Sequence, residues 1–460
     1  MDTKGSANPV RLSGSMITPT TRLIAFAALL ALPFTALAAI WPPALVLAVL
    51  LVGALAFVAA IDASRASTPL RGIGLDVPEY TRLQKRREGE FSIKFLRTPG
   101  SASRIRVGIS FPVEIDAPES IREVELANDA SALAWKCTPR DRGLFVLKSV
   151  VLGTVSPLGL WFLSEVRPIH HELRVYPDLL AERQRVAALF LRRGMEGSHA
   201  QRSAGQGREF EKLRDYSPGD SLGDVHWKAS AKRRHLVTKV HQVERSHEVY
   251  VVIDASRLSA REVPSGTPST PPVAALDRYV TAALILGAAA ERQGDQFGLI
   301  TFSDRIHTFL RARNGQAHYD TCRDRLYTLQ PQPVTPDYEE VCSIIRSRLS
   351  RRALLVFLTA LDDPFLAESF TAASELIARQ HLLLVNMLRP AGVRPVFENA
   401  AVTNVQDLYA ELGHHLQWDK LRELERVLHR RGIRFGMLDP TMIAAELVNQ
   451  HAGVRARELI

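Results

Sequence analysis

EVYVVIDAS, residues 248–256, decides the fold. Its middle is an unbroken β-branched and aromatic run, which suits a strand buried on both faces, and it stops abruptly at Asp254 and Ser256. Outward from it the pattern alternates. VAALDRYVTAALILGAAAERQ (273–293) has helical spacing, and DQFGLITFS (295–303) and RIHTFLRA (305–312) read as strands. A helix follows at 336–352 and a strand, ALLVFLTALDD, at 353–363. Helix 367–380, strand 381–388, helix 419–432, strand 433–439 and helix 440–453 complete the series. Continuous apolar strands alternating with helices predict an α/β domain over 246–460. Its sheet is doubly wound, mostly parallel and covered on both faces.

Upstream the character changes twice. Between Tyr80 and Asp178, short period-two runs such as FSIKF (91–95), RIRVGISF (104–111) and LFVLKSVVL (144–152) predict a small β-sandwich over 80–178. Residues 62–78, rich in Gly, Pro, Ser and Arg, read as a linker. Before it lie two uncharged runs, Leu23–Ile40 and Ala44–Ile61, separated by Trp41-Pro42-Pro43. Each approaches the roughly 20 residues that cross a hydrocarbon core as helix. They predict a two-helix transmembrane hairpin over 23–61. Lys4, Arg11 and Arg22 precede it, Arg65, Arg71 and Arg82 follow it, and the turn has neither Lys nor Arg. The positive-inside rule then puts tail 1–22 and the bulk of the chain in the cytoplasm, on a multi-pass inner-membrane protein. A secretory signal ending at Ala36-Leu37-Ala38 is the competing reading, disfavoured by the long preceding segment and the second span.

The chain carries 58 Lys+Arg against 49 Asp+Glu, a net charge of +9. Residues 182–245 alone hold 14 Lys/Arg and 8 Asp/Glu, so this basic segment (179–245 as a region) carries most of the excess. It suits anionic partners. Lys232, Arg233 and Arg234 form its basic patch, and Phe190, Phe210, Tyr216 and Trp227 interleave with the cations. That pattern also suits single-stranded nucleic acid, although no named nucleic-acid fold signature is present. Three isolated cysteines give neither a disulfide framework nor a thiolate zinc site. GxxxxGK[ST], GxGxxG, GxSxG and HExxH are all absent, which argues against nucleotide binding and against an enzyme.

In an open α/β sheet ligands bind beyond the carboxyl ends of the strands. There this chain resembles a von Willebrand factor type A domain, in which Asp-x-Ser-x-Ser, a Thr and a distal Asp hold Mg²⁺. The resemblance implies Asp254 and Ser256 as the first ligands, Thr335 as the Thr and Asp362 as the distal Asp. Leu258 stands where the second Ser would be, and Arg257 adds a competing cation. The site is therefore incomplete: Mg²⁺ is possible and no cofactor is certain. The alternative is that Asp254 and Ser256 cap the following loop.

GREF (207–210), LRDY (213–216), SPGD (217–220), WKASAKR (227–233) and then VYVVIDAS resemble the signature of the bacterial domain-of-unknown-function family 58 (DUF58). Asp141-Arg142-Gly143, Ser156-Pro157-Leu158-Gly159-Leu160 and Val175-Tyr176-Pro177 match further family elements. Carried over, the signature residues are Glu209, Arg214, Tyr216, Gly219, Asp220, Trp227 and Lys228. Ser221-Leu222-Gly223-Asp224 replaces an Arg that the family often has. Members are often encoded beside MoxR-type AAA+ ATPases. The resemblance thus implies a membrane-anchored, non-enzymatic adaptor that partners such an ATPase and other membrane proteins. Its partner would meet the exposed sheet end where Asp254, Ser256 and Asp362 converge. Trp227 is expected to pack, and Arg214 to pair with Asp220. Binding of anionic lipid through the basic segment is the alternative, with nucleic acid disfavoured.

Overall fold

The computed structural model describes residues 15–38, 40–41, 44–65, 70, 72–98, 101–126, 130–180, 182–184, 186–187, 204–217, 223, 225–242, 247–264, 271–395 and 404–457. The chain forms two compact units, 1–178 and 179–460.

In the first unit two apolar helices, α1 (Thr21–Ala38) and α2 (Ala44–Arg65), follow strand β1 (Ser15–Pro19). Among the described residues one stretch, Val46–Arg65, is long and apolar enough to cross a membrane; Thr21–Thr35 is a shorter apolar helix. The other strands are β2 (Ile73–Asp76), β3 (Tyr80–Gln84), β4 (Gly89–Arg97), β5 (Arg104–Ile109), β6 (Ile115–Asp116), β7 (Ile121–Glu125), β8 (Ala130–Pro139), β9 (Gly143–Val155) and β10 (Trp161–Tyr176). They form a sheet of order β1-β10-β9-β5-β7 and a second of order β2-β4-β8-β6. Strand β10 is long enough to pair β1 along residues 161–165 and β3 along 172–176.

Alternation explains the sandwich. Phe91, Ile93 and Phe95 point inward from β4, while Ser92, Lys94 and Leu96 stay exposed. The inward set packs with Trp135, Val107, Leu147, Leu152 and Leu173 in one core. Two strands lie outside 80–178: β1 in the tail and β2 in the stretch read as linker. Both are short, at five and four residues. They form because β10 and β4 offer them partners.

In the second unit a hairpin of β11 (Ala204–Asp215) and β12 (Val237–Gln242) encloses a short helix, α3 (Trp227–Arg233). The main sheet comprises β13 (Glu248–Asp254), β16 (Gln296–Phe302), β17 (Ile306–Arg313), β18 (Leu354–Leu358), β19 (Leu382–Leu388) and β20 (Arg434–Leu438). A two-residue pair, β14 (Glu262–Val263) and β15 (Val273–Ala274), lies aside. The order is β17-β16-β13-β18-β19-β20, parallel throughout except for edge strand β17. Strand order therefore reverses at β13, which makes the carboxyl end of that strand the switch point of a doubly wound sheet.

The helices are α4 (Ala275–Arg292), α5 (Gln316–Leu326), α6 (Tyr338–Arg348), α7 (Pro364–Ala378), α8 (Val405–Arg430) and α9 (Ile443–Ala456). Val249, Val251 and Ile253 face a core shared with α4 and α9, while Tyr250 and Val252 face one shared with α6 and α7. Both faces are thus buried, which accounts for the unbroken apolar run. Gly287 lets α4 approach closely: a Cβ there would lie 2.9 Å from the Phe297 ring.

Candidate functional site

Beyond the carboxyl end of the sheet the chain builds a hydrogen-bond network around Asp254. Being the last residue of β13, Asp254 is fully buried. Its Oδ1 accepts from Ser256 N at 2.8 Å, and its Oδ2 accepts from Thr359 Oγ1 at 2.6 Å. Thr359, one residue beyond β18, also shares a hydrogen bond of 2.8 Å with the Tyr338 hydroxyl. Tyr279 donates to the Thr359 carbonyl at 3.3 Å. Burial pushes the Asp254 carboxyl above its ordinary range, partly offset by the bonds from Thr359 and Ser256. Burial likewise drives the Tyr338 phenol well above its usual range.

Ser256 is also fully buried, and its side chain accepts from Leu258 N at 3.4 Å, capping the one-turn 3₁₀ helix Arg257–Ala260. Leu258 packs inward at 3% exposure. The loop holding Thr335 runs alongside: Gln332 N donates to Ala255 O at 2.7 Å and Arg257 N to Val334 O at 3.0 Å. Thr335 itself is exposed. Asp362 pairs with the Arg261 guanidinium, and its Oδ1 is buried with no partner among the described groups.

Thus the fold gathers Asp254, Ser256, Asp362 and the Thr335 loop at one end of the sheet, but not as an exposed cluster. That expectation is corrected: Asp254 and Ser256 are sealed beneath the loops, and no partner can touch them. The residues do not fit a divalent cation as they stand. Magnesium needs six oxygens with free lone pairs aimed at one point. Both Asp254 oxygens already face donors, the Ser256 hydroxyl faces an amide, and a guanidinium pairs with Oδ2 of the distal carboxylate and sets a competing positive charge there. Capping describes Asp254 and Ser256 better. Among the described residues no group of three or more His, Cys, Asp or Glu is arranged as metal ligands.

Next to Asp362 a groove of about 680 Å³ opens between α7 and α8. Its floor includes Leu361, Ala367, Leu421 and Leu424, and its rim carries Glu368, Lys420 and Arg431. Nothing in the sequence pattern pointed to the groove, to Tyr338 or to Arg261, and Thr359 stood out only as the end of its strand. The available signal was Thr359, which directly follows a fully buried strand and so stands at the switch-point end of the sheet.

The signature segment is placed in part. Glu209 and Arg214 lie in β11, and Tyr216 N donates to Leu236 O at 2.9 Å. Gly219 and Asp220 lie outside the described residues, as does the Arg214 side chain, so their pairing does too. His226 caps α3, its Nδ1 accepting from Ala229 N at 3.1 Å. Ser230 ties the helix to β12 through Val237 N at 2.9 Å. Trp227 is 65% exposed, against the expectation that it packs. Ser230 takes the inward face of this seven-residue helix and leaves the indole outside. Lys228, Lys232, Arg233 and Arg234 are exposed beside it.

Residues 212–395 match the family described as "Protein of unknown function DUF58", so the resemblance in the signature and sheet region holds over that stretch. No curated protein matches. Among solved structures, the chain is similar to the conserved hypothetical protein BatB from Bacteroides thetaiotaomicron, with 17% identity over 46% of this chain and 100% of that one and a TM-score of 0.28. An aerotolerance-related membrane protein from Bacteroides fragilis gives 14% identity over 45% and 99%, with a TM-score of 0.27. The SpRpn10 VWA domain gives 8% identity over 45% and 95%, with a TM-score of 0.27. At scores this low the fold assignment rests on strand order alone.

Proposed function

We propose that this chain is a membrane-anchored, non-enzymatic interaction protein that receives its partner in the groove between α7 and α8, beside Asp362. The partner it is built to hold is an AAA+ ATPase of the MoxR type. Helices α1 and α2 would act as a transmembrane hairpin, with the rest of the chain in the cytoplasm. One observation carries the reading: a groove with an apolar floor and a charged rim begins beside Asp362, just beyond the carboxyl end of β18, and runs between α7 and α8. Apolar floors with polar rims suit protein partners, and a few well-placed groups dominate such contacts. Asp254, being buried, would hold the neighbouring loops through Ser256 and Thr359 rather than touch a partner.

The test is co-purification from detergent with the MoxR-type ATPase of the same cell. Reversing the rim charges, Glu368→Arg with Lys420→Glu, should abolish retention of the ATPase while leaving the protein in the membrane fraction. Unchanged retention would reject the groove.

A second reading has its own support. Trp227, Lys228, Lys232 and Arg233 form an exposed aromatic and basic surface on α3, suited to anionic lipid headgroups. Replacing Lys232, Arg233 and Arg234 with Ala should then weaken association of the detergent-solubilised protein with anionic liposomes and leave ATPase retention intact. Loss of ATPase retention instead would make the basic helix the partner surface.

A further inference from the structure

In the first unit, the turn joining β9 to β10 is wedged between the start of α1 and the end of α2. Asp62, in the last turn of α2, is 2% exposed. Its Oδ2 accepts from Ser156 Oγ at 2.5 Å and from Leu160 N at 3.4 Å, and its Oδ1 accepts from Leu158 N at 3.1 Å. Trp161 Nε1 donates to the Ala59 carbonyl at 2.8 Å. Just before α1, Thr20 N donates to Leu160 O at 2.9 Å, and Thr20 Oγ1 to Gly159 O at 2.7 Å. Gly159 makes the turn possible, with φ at +75°.

A carboxylate held by three donors, an indole and a hydroxyl make this a joint, not a tether. A buried charged group leaves such a site only at high cost, because its donors lose their acceptor together.

The joint fixes where the turn sits along the helix axis. The uncharged run of α2 ends at Ile61, one residue before the clamp. With about 1.5 Å of rise per residue, the turn's backbone lies within a few ångströms of the last apolar residue. Around this point the sandwich presents exposed apolar side chains. Leu158 is 57% exposed, Val155 50%, Met16 66% and Ile17 43%. Arg22, the second residue of α1, lies beside Gly159, and Arg65 ends α2 three residues after Asp62.

We infer that this end of the sandwich is a foot that stands in the lipid. Leu158, Val155, Met16 and Ile17 enter the boundary between headgroups and acyl chains, with Asp62 locking the sandwich onto α2. The occupant is the bilayer surface, because the exposed Leu158 and Val155 flank the turn that Asp62 clamps to the end of the apolar helix that would cross it. Basic residues at that level suit lipid phosphates, and apolar side chains flanked by cations are the usual make-up of an interfacial segment. The inference rests on the membrane-anchored reading above.

The test uses the full chain in nanodiscs of phosphatidylcholine and phosphatidylglycerol. Single cysteines replace Leu158, Leu144 or Val49 and carry an environment-sensitive fluorophore. The native cysteines Cys137, Cys322 and Cys342 are buried and stay unlabelled in the folded chain. Leu144 is the control: it is also exposed but lies eleven residues up β9 from Val155, roughly 36 Å at about 3.3 Å per residue. Quencher-bearing lipids, shallow or deep, report depth.

The expected result is several-fold stronger quenching at Leu158 than at Leu144, greater with the shallow quencher. Val49, in the middle of α2, should respond to the deep one. Quenching at Val49 with Leu158 as bright as Leu144 overturns the foot and leaves the anchor standing. An unquenched Val49 overturns the anchor itself, and the foot with it. In an Asp62→Ala background the Leu158 signal should recover while Val49 stays quenched. Persistence of strong Leu158 quenching there would show that the carboxylate is not the lock.

Discussion

Two aspartates are sealed into opposite ends of the same sheet, and they are solvated in opposite ways. Asp254, at the carboxyl end of β13, has only uncharged donors: an amide and a hydroxyl. Asp295, just before β16 at the amino end, faces potential cations. His451 Nε2 lies 2.9 Å from it and Arg455 Nη1 3.3 Å, while His247 offers its backbone N at 3.2 Å and its Nδ1 at 3.4 Å. Burial alone would raise the Asp295 carboxyl, but the bonds from His247 and His451 outweigh it and hold it well below the ordinary range. The difference separates a fastening from a site. Asp295 binds α9 and the chain entering β13 to the sheet's base with its charge compensated. Asp254 supports loops under the proposed docking end, and its carboxyl tends towards the neutral form.

The largest effect that could break this contrast is at Asp295. Asp295→Ala leaves His451 buried opposite Arg455 with no anion, and breaking a buried pair this way costs about 3–5 kcal/mol. Denaturant unfolding of the second unit should show it; a loss below about 1 kcal/mol would make the pair no better than a surface one. Next is Thr359→Val, which strips Asp254 Oδ2 of its hydroxyl donor and should cost about 1–3 kcal/mol.

Asp254→Asn should cost less than about 1 kcal/mol at neutral pH. The side-chain oxygen still accepts from Ser256 N, and the Thr359 hydroxyl can turn its proton to Tyr338 and accept from the new amide. The signs with pH also differ. Asp295 is lowered, so its stabilisation is present above its ordinary value of 3.8 and is lost as pH falls below that. Asp254 is raised, so its ionisation removes stability as pH climbs from 3.8 through the raised value. Melting temperatures between acid and neutral pH should therefore show Asp295→Asn flattening the acid limb. Asp254→Asn should gain on the parent as pH rises, and an Asp254→Asn profile parallel to the parent's would refute the assignment.

Two smaller effects close the series. Millimolar Mg²⁺ should leave the melting temperature unchanged, because a ligand that binds only the folded state must raise it. Trp227→Ala should alter stability by no more than about 0.5 kcal/mol, as an exposed position allows.

How far the sequence could be read follows from the same packing. Strands β13, β16, β18 and β19 were legible because both faces are buried, so every residue reports it. Helix α5 was not, since it shows the core only Tyr319, Cys322 and Leu326 among polar neighbours. The first half of α8 was missed for the opposite reason. Its apolar residues Val405, Leu408, Leu412 and Leu416 recur at helical spacing but face outward, so the stripe there marks no core contact. The reciprocal cap between Asn404 and Asp407 was the available sign of its start. Of the site, the position was legible from strand order and the chemistry only in part. The bond from Thr359 to Asp254 spans 105 residues, and no local spacing announces it.

Strand β17 closes the β16 side of the sheet as its antiparallel edge. Its register with β16 slips at two places, and its exposed side chains include His307, Arg311 and Arg313. Such an edge is a poor template for another strand, because irregular pairing and repeated positive charge both discourage added β-structure. Where copies of the chain meet at high local density, this border favours solubility over fibre growth.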